Sequence, residues 1–160
     1  MKNSHIYSMR LQWTGNLGSG TSDYRSYSRD HVIVTDGKPD VLLSSDPSFR
    51  GDKARYNPEE MLVASLSSCH MLWFLHLCAD AGIVVTNYED LAEGVMTMNP
   101  NGSGQFASVT LRPSVSITDK GRLPDLDALH HNAHDMCFIA RSMNFPVICK
   151  ATGIARPGTG

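Results

Sequence analysis

Basic residues never run together in this 160-residue sequence. Fourteen Lys and Arg are scattered among sixteen Asp and Glu, for a net charge of -2. No polyanion-binding stripe exists, so neither nucleic acid nor an anionic membrane surface is an expected partner. Met1 to Trp13 holds no basic segment followed by an apolar core and a small-residue cleavage site. Nothing there directs the chain to secretion, and a cytoplasmic location is the expectation. The four cysteines, at positions 69, 78, 137 and 149, form no Cys-x-x-Cys pair. In a reducing compartment they do not read as a disulfide framework, which leaves reactive, metal-binding or merely buried thiols. The long apolar stretch from Met61 to Ala81 is not clean, because Ser65, Ser67, Ser68, His70, His76 and Asp80 interrupt it. It reads as a buried helix of a soluble protein rather than a membrane span. Internal repeats and low-complexity segments are also missing.

What is present suits one α+β domain over 1–160. Hydrophobic residues make up 41% and charged residues 19%, enough apolar surface for a core. The first third reads as β structure: His5 to Trp13, Tyr27 to Thr35 and Val41 to Ser45, parted by Gly-rich and Asp-Gly turns. The polar stretch Asp46 to Tyr56 then suits an active-site flap or a plain connection. Asn57-Pro58-Glu59-Glu60 is a helix start in which Asn caps, Pro takes the first turn and Glu60 stands at capping-box spacing, with Gly82 as the stop. Such a helix would be apolar on most of its circumference, so a second helix or a partner subunit must cover what one small sheet cannot. Strands over Tyr88 to Asn99 and Gln105 to Thr118, a helix from Pro124 or Asp125 to Met143, and a strand over Pro146 to Thr152 complete the order. The tail 156–160 is expected to be loose.

Cys69 is the most informative residue. It is a single thiol on an apolar helix, flanked by Ser67, Ser68 and His70, polar residues that a plain core helix avoids. Cys78 lies nine positions on, about 180° around the helix, and reads as an inert small hydrophobe, as does Cys149. On the second helix His130, His134 and Cys137 share one face by their spacing. Cys137 could resolve an oxidised Cys69. Alternatively, the three residues with Cys69 or His70 could hold zinc, but a half-exposed histidine face is favoured over a metal. Glu59 lies about 15 Å before Cys69 along one helix axis. If both serve one site, an antiparallel partner helix must bring them together, which points to a dimer. Otherwise Glu59 simply compensates the helix dipole.

The run Asn57-Pro58-Glu59-Glu60-Met61-Leu62 with Ala64 and Ser67-Ser68-Cys69, followed by a second Cys late in the chain, resembles the OsmC/Ohr family of thiol-dependent peroxidases. Ser44-Ser45-Asp46-Pro47 and Cys69-His70-Met71 look most like its OsmC-like branch. The resemblance spans nearly the whole chain. It implies an OsmC-like fold in which antiparallel sheets wrap two long central helices in an intertwined homodimer, with two sites at the interface. It further implies that Cys69 is the peroxidatic nucleophile and Cys137 the resolving thiol. Organic hydroperoxides would be the substrate and a dithiol, lipoyl or other, the reductant, with no cofactor and no metal. The family's Glu matches Glu59, which would hold a catalytic Arg over the thiolate. Arg29 is the first candidate and Arg50 the second, with Arg55 also placed to serve, because an Arg beside a thiol favours its thiolate. A non-peroxidatic small-molecule or metal-binding protein using the Cys/His cluster is the alternative. Three positions depart from the family pattern: Phe138 stands where Pro often follows the resolving Cys, His70 replaces an apolar residue, and His130, His131 and His134 have no role in the family mechanism.

Overall fold

The computed structural model describes residues 4–156, so 157–160 of the expected loose tail lie outside the described residues. Two compact units follow one another, the first ending at Met61 and the second starting at Leu62.

The first unit is an antiparallel meander of β1 (Arg10–Trp13), β2 (His31–Val34) and β3 (Val41–Leu43). Its strands are shorter than the alternation predicts. Ser28 N–H bonds to the Gly15 carbonyl and Thr14 N–H to Asp30 O, so the residues flanking the ladder are held in a connecting loop. Asp46 caps a 3-10 turn at Pro47–Phe49 by accepting from Ser48 N at 2.7 Å, and Arg50 closes that turn at φ 67°.

The long helix α1 (Pro58–Asp80) begins as its sequence predicts. Asn57 Oδ1 accepts from Glu60 N at 2.8 Å while Glu60 Oε2 accepts from Asn57 N at 3.0 Å, so two orphan donors are satisfied reciprocally. Gly82 stops the helix at φ 69°, with Ile83 N–H reaching back to Cys78 O. Leu66, His70, Phe74 and Cys78 are buried, a stripe at four-residue spacing. The expectation of a buried helix holds only for that stripe. The other apolar residues, Leu62, Val63, Met71, Trp73, Leu75 and Leu77, are only half-buried in the single chain, and Leu72 is 60% exposed. By length and composition alone α1 could also cross a membrane.

The second unit corrects the sequence reading of its strands. Each of the three expected strands is broken into two, and the halves join different sheets. β4 (Val85–Asp90), β7 (Pro113–Ile117) and β9 (Thr152–Ala155) form one sheet; β5 (Glu93–Met98), β6 (Gly104–Leu111) and β8 (Val147–Cys149) form the other. Pro113 has no N–H to donate where β6 gives way to β7. The Arg112 N–H beside it leaves the ladder for Asp90 Oδ1 at 2.6 Å. Asp90, at the β4–β5 break, also accepts from Ser67 Oγ on α1. The sheets are therefore not purely antiparallel. β8 pairs with β6, and β9 with β7, in parallel. The chain reaches those positions through a crossover that holds α2 (Leu126–Met136), the kind of connection parallel pairing needs.

Helix α2 is shorter than predicted. Lys120–Asp125 is 3-10, and the helix ends at Met136 with Cys137 as an extended cap residue at φ -69°, ψ 107°. Cys137 is thus not on the helix but just beyond it. Phe74, Cys78, Val115, Ile117, Leu126 and Ala133 make one apolar cluster, and Leu66, Val109 and Leu111 another. On the buried stripe of α1, His70 falls between them.

Candidate active site

Neighbouring positions on a helix diverge by about 100°, so Cys69 and His70 look into different surroundings. Cys69, half-buried on α1, opens onto a cleft of about 360 Å³ lined with Leu72, Trp73, His76 and Phe138. Positions 72, 73 and 76 follow Cys69 by three, four and seven residues and so share its face. That spacing was legible in the sequence, and the reading of reactive residues overlooked it. Phe138 completes the wall from the far side, its ring edge-on to Trp73 at 5.7 Å between centroids. The Phe that departs from the family pattern therefore has a place in the cleft.

Ending α2 early brings Cys137 to the back of this site. Its thiol is buried and accepts from Ala140 N at 3.4 Å. Burial raises its pKa, and the neighbouring Cys69 side chain adds to the rise, so Cys137 rests as a thiol. Both cysteines are free, and the two are brought together in this unit. Glu59 lies in the first turn of α1, half-buried at the dipole's positive end. Arg29 lies in the corner made by the perpendicular rings of Tyr24 and Tyr27, its guanidinium carbon 4.2 Å from each centroid. It donates to the Tyr27 and Tyr24 carbonyls at 2.6 Å. Arg55 pairs with Asp30 at 3.5 Å and with Asp52 at 3.7 Å, while Arg50 is exposed.

His70 is part of a second polar constellation. Its Nε2 lies 3.0 Å from His130 Nδ1, and Cys149 Sγ lies 3.6 Å from the same Nε2. The expected half-exposed histidine face is corrected here: His131 is exposed, but His130 is 4% exposed and stacks on Phe74 at 3.9 Å. The expected grouping of His130, His134 and Cys137 does not form either, because Cys137 has left the helix and His130 turns to His70. Burial drives both imidazoles from 6.5 down to about 4, with His134 also lowering His70 and His70 lowering His130. Burial likewise pushes the Cys149 thiol up to about 11, with Asp90 adding to it. Cys149 is therefore not the isolated core thiol its sequence context suggests. Cys78, inside the first apolar cluster, is raised to about 11 by burial and fits that description.

The family model for OsmC-like protein matches residues 51–151, which takes in α1, both cysteines of the cleft and all but the end of the second unit. The chain belongs to the OsmC family. An OsmC-like protein of unknown function from Vibrio cholerae is 35% identical over 93% of this chain and 100% of its own, at a TM-score of 0.83. Two solved structures share the OsmC fold at lower identity. An organic hydroperoxide resistance protein from Elizabethkingia anophelis is 18% identical, with 98% and 100% coverage and a TM-score of 0.65. One from Legionella pneumophila is 17% identical, with 94% and 98% coverage and a TM-score of 0.63. No curated protein matches the chain.

Proposed function

We propose that this OsmC-family protein is a thiol peroxidase that reduces organic hydroperoxides through Cys69 and Cys137. The observation that carries the reading is that the free Cys69 opens onto an apolar, aromatic-walled cleft and has the free, buried Cys137 thiol as its neighbour. Cys69 as thiolate attacks the O–O bond, takes one oxygen as a sulfenic acid, and releases an alkoxide that picks up a proton to become the alcohol. The Cys137 thiol then condenses with the sulfenic acid, forming the disulfide and one water. A dithiol returns both cysteines to thiols and leaves as its own disulfide. The apolar walls favour an alkyl or aryl hydroperoxide over hydrogen peroxide. The hydroperoxide-resistance proteins that share the fold point the same way.

Glu59 and one of the arginines are the proposed charged partners of the thiolate. Arg50, whose side chain is exposed, is preferred of the two first candidates, because the Arg29 guanidinium is already held by two carbonyls and two rings. The exposed Leu72 and its half-buried apolar neighbours on α1 support a homodimer, and sedimentation at twice the 17.5 kDa chain mass is expected. A monomer at micromolar concentration would remove the dimer from the reading.

One equivalent of cumene hydroperoxide added to reduced protein tests the chemistry. Peptide mapping without reductant is expected to find a Cys69–Cys137 disulfide formed within seconds. Slow or unselective oxidation of the four cysteines would sink the peroxidase reading.

A further inference from the structure

The His70–His130–Cys149 constellation lies apart from the thiol chemistry at Cys69 and Cys137. Two of its members are almost wholly buried, yet His70 Nδ1 and His130 Nε2 have no hydrogen-bond partner among the described residues, and neither has the nearby Tyr88 hydroxyl. Buried polar atoms are nearly always satisfied, so three together call for a physical reason. The rings are coplanar to 1°, and centroids at 5.3 Å with nitrogens at 3.0 Å put the N···N line through both ring centres. Two neutral imidazoles here share one proton in line. The Cys149 sulfur stands beside that shared position, and one ligand atom from each residue lies within 4.8 Å of the other two.

We propose that His70 Nε2, His130 Nδ1 and Cys149 Sγ bind a divalent cation of the zinc class, with a fourth position open to solvent. The donor set is one that zinc accepts, two imidazoles and a thiolate. A tetrahedral ion with ordinary Zn–N and Zn–S bonds separates nitrogen from nitrogen by about 3.3 Å and nitrogen from sulfur by about 3.6 Å. Here the nitrogens are 3.0 Å apart, Cys149 Sγ is 3.6 Å from His70 Nε2, and it lies within 4.8 Å of His130 Nδ1. Access comes from a cavity of about 480 Å³ walled by His130, Cys149, Asp127, His131 and His134. Asp127 and His134 give an arriving cation polar partners at the mouth.

Binding rearranges the pair in a defined way. The N···N line is too short to hold an ion between the nitrogens, so the ion sits beside it, next to Cys149, and both rings tilt. The ring that carries the shared proton moves it to its own outer nitrogen, and the thiol gives its proton to solvent. One proton is released per ion, and no electron is transferred.

Cobalt(II) is the probe, in chain carrying Cys69→Ser and Cys137→Ser so that the proposed redox thiols cannot contribute and failure of the peroxidase reading leaves this test intact. Expected are one cobalt per chain, a thiolate-to-cobalt charge-transfer band, release of one proton, and displacement by one equivalent of zinc. Adding Cys149→Ser should abolish the band, and His130→Gln should weaken binding at least tenfold, with circular dichroism confirming both folds. In the unsubstituted chain zinc should protect Cys149 from alkylation, a readout that needs no variant. Absence of saturable binding, absence of protection, or a site that follows the exposed His131 rather than His130 would each overturn the proposal.

Discussion

Cys69→Ser is expected to lower dithiol-dependent consumption of cumene hydroperoxide to the rate of the dithiol alone. Serine keeps the shape but not the nucleophile: its hydroxyl stays protonated at neutral pH and attacks a peroxide oxygen poorly. Cys137→Ser should behave differently. In the proposed mechanism the buried thiol acts after the O–O bond is broken, so that variant should still reduce one equivalent of hydroperoxide. It should then accumulate a Cys69 sulfenic acid that dimedone traps, while steady turnover falls because the disulfide cannot form. The measurement is a coupled assay beside mass spectrometry of the trapped adduct. Equal turnover in Cys69→Ser and unsubstituted protein would remove Cys69 as the nucleophile. An unaltered steady state in Cys137→Ser would leave the one-cysteine route and remove the resolving role.

Acid is expected to destabilise the metal-free protein strongly and early. His70 and His130 have native pKa values of about 4 against the ordinary histidine value of 6.5, and burial is the leading cause. Between those values the unfolded chain binds more protons than the native one, so stability rises with pH there and is lost as pH falls from about 6.5 to about 4. The groups facing the pair do not reverse this. His134 opposes a charge on His70, Asp90 favours it more weakly, and the Cys149 thiol and Tyr88 hydroxyl are both held neutral by burial. Each imidazole alone would lose about 2 kcal/mol between pH 7 and pH 5, and two in contact do not add independently, so about 2–4 kcal/mol is expected for the pair. Urea unfolding with a chelator present reads this directly. His130→Gln, which takes one imidazole out of the pair, should flatten the dependence by half or more. Parallel pH profiles for the two proteins would mean that these rings do not carry it.

Local signals carried much of the fold. The capping box at Asn57 and Glu60, the αL stop at Gly82 and the order of β and α segments depend on neighbours within a few residues, and they stand where the sequence puts them. The family motif around Cys69 is of the same kind, a contiguous run whose residues need no distant partner to be recognised. The strand breaks are different. Pro113 is a local mark of a break within Gln105 to Thr118, but nothing there says that the Arg112 N–H will bond a carboxylate 22 positions earlier as β6 and β7 part. Parallel pairing of β8 and β9 likewise depends on where the crossover returns the chain.

The sites divide the same way. Cys69 stood out as a candidate by its polar flanks, and Leu72, Trp73 and His76 share its face by helical spacing, whereas Phe138 reaches that face only because α2 stops at Met136. His130 was legible as a member of a helical histidine face but not as the partner of His70, 60 positions away, nor was Cys149 as the third of that group. The sequence by itself determined the order of the segments, the cap and stop of α1 and the candidate thiol, since periodicity and capping act through the local backbone. Which buried polar groups meet was decided by tertiary structure alone, because a contact between distant positions leaves no mark on the residues between them.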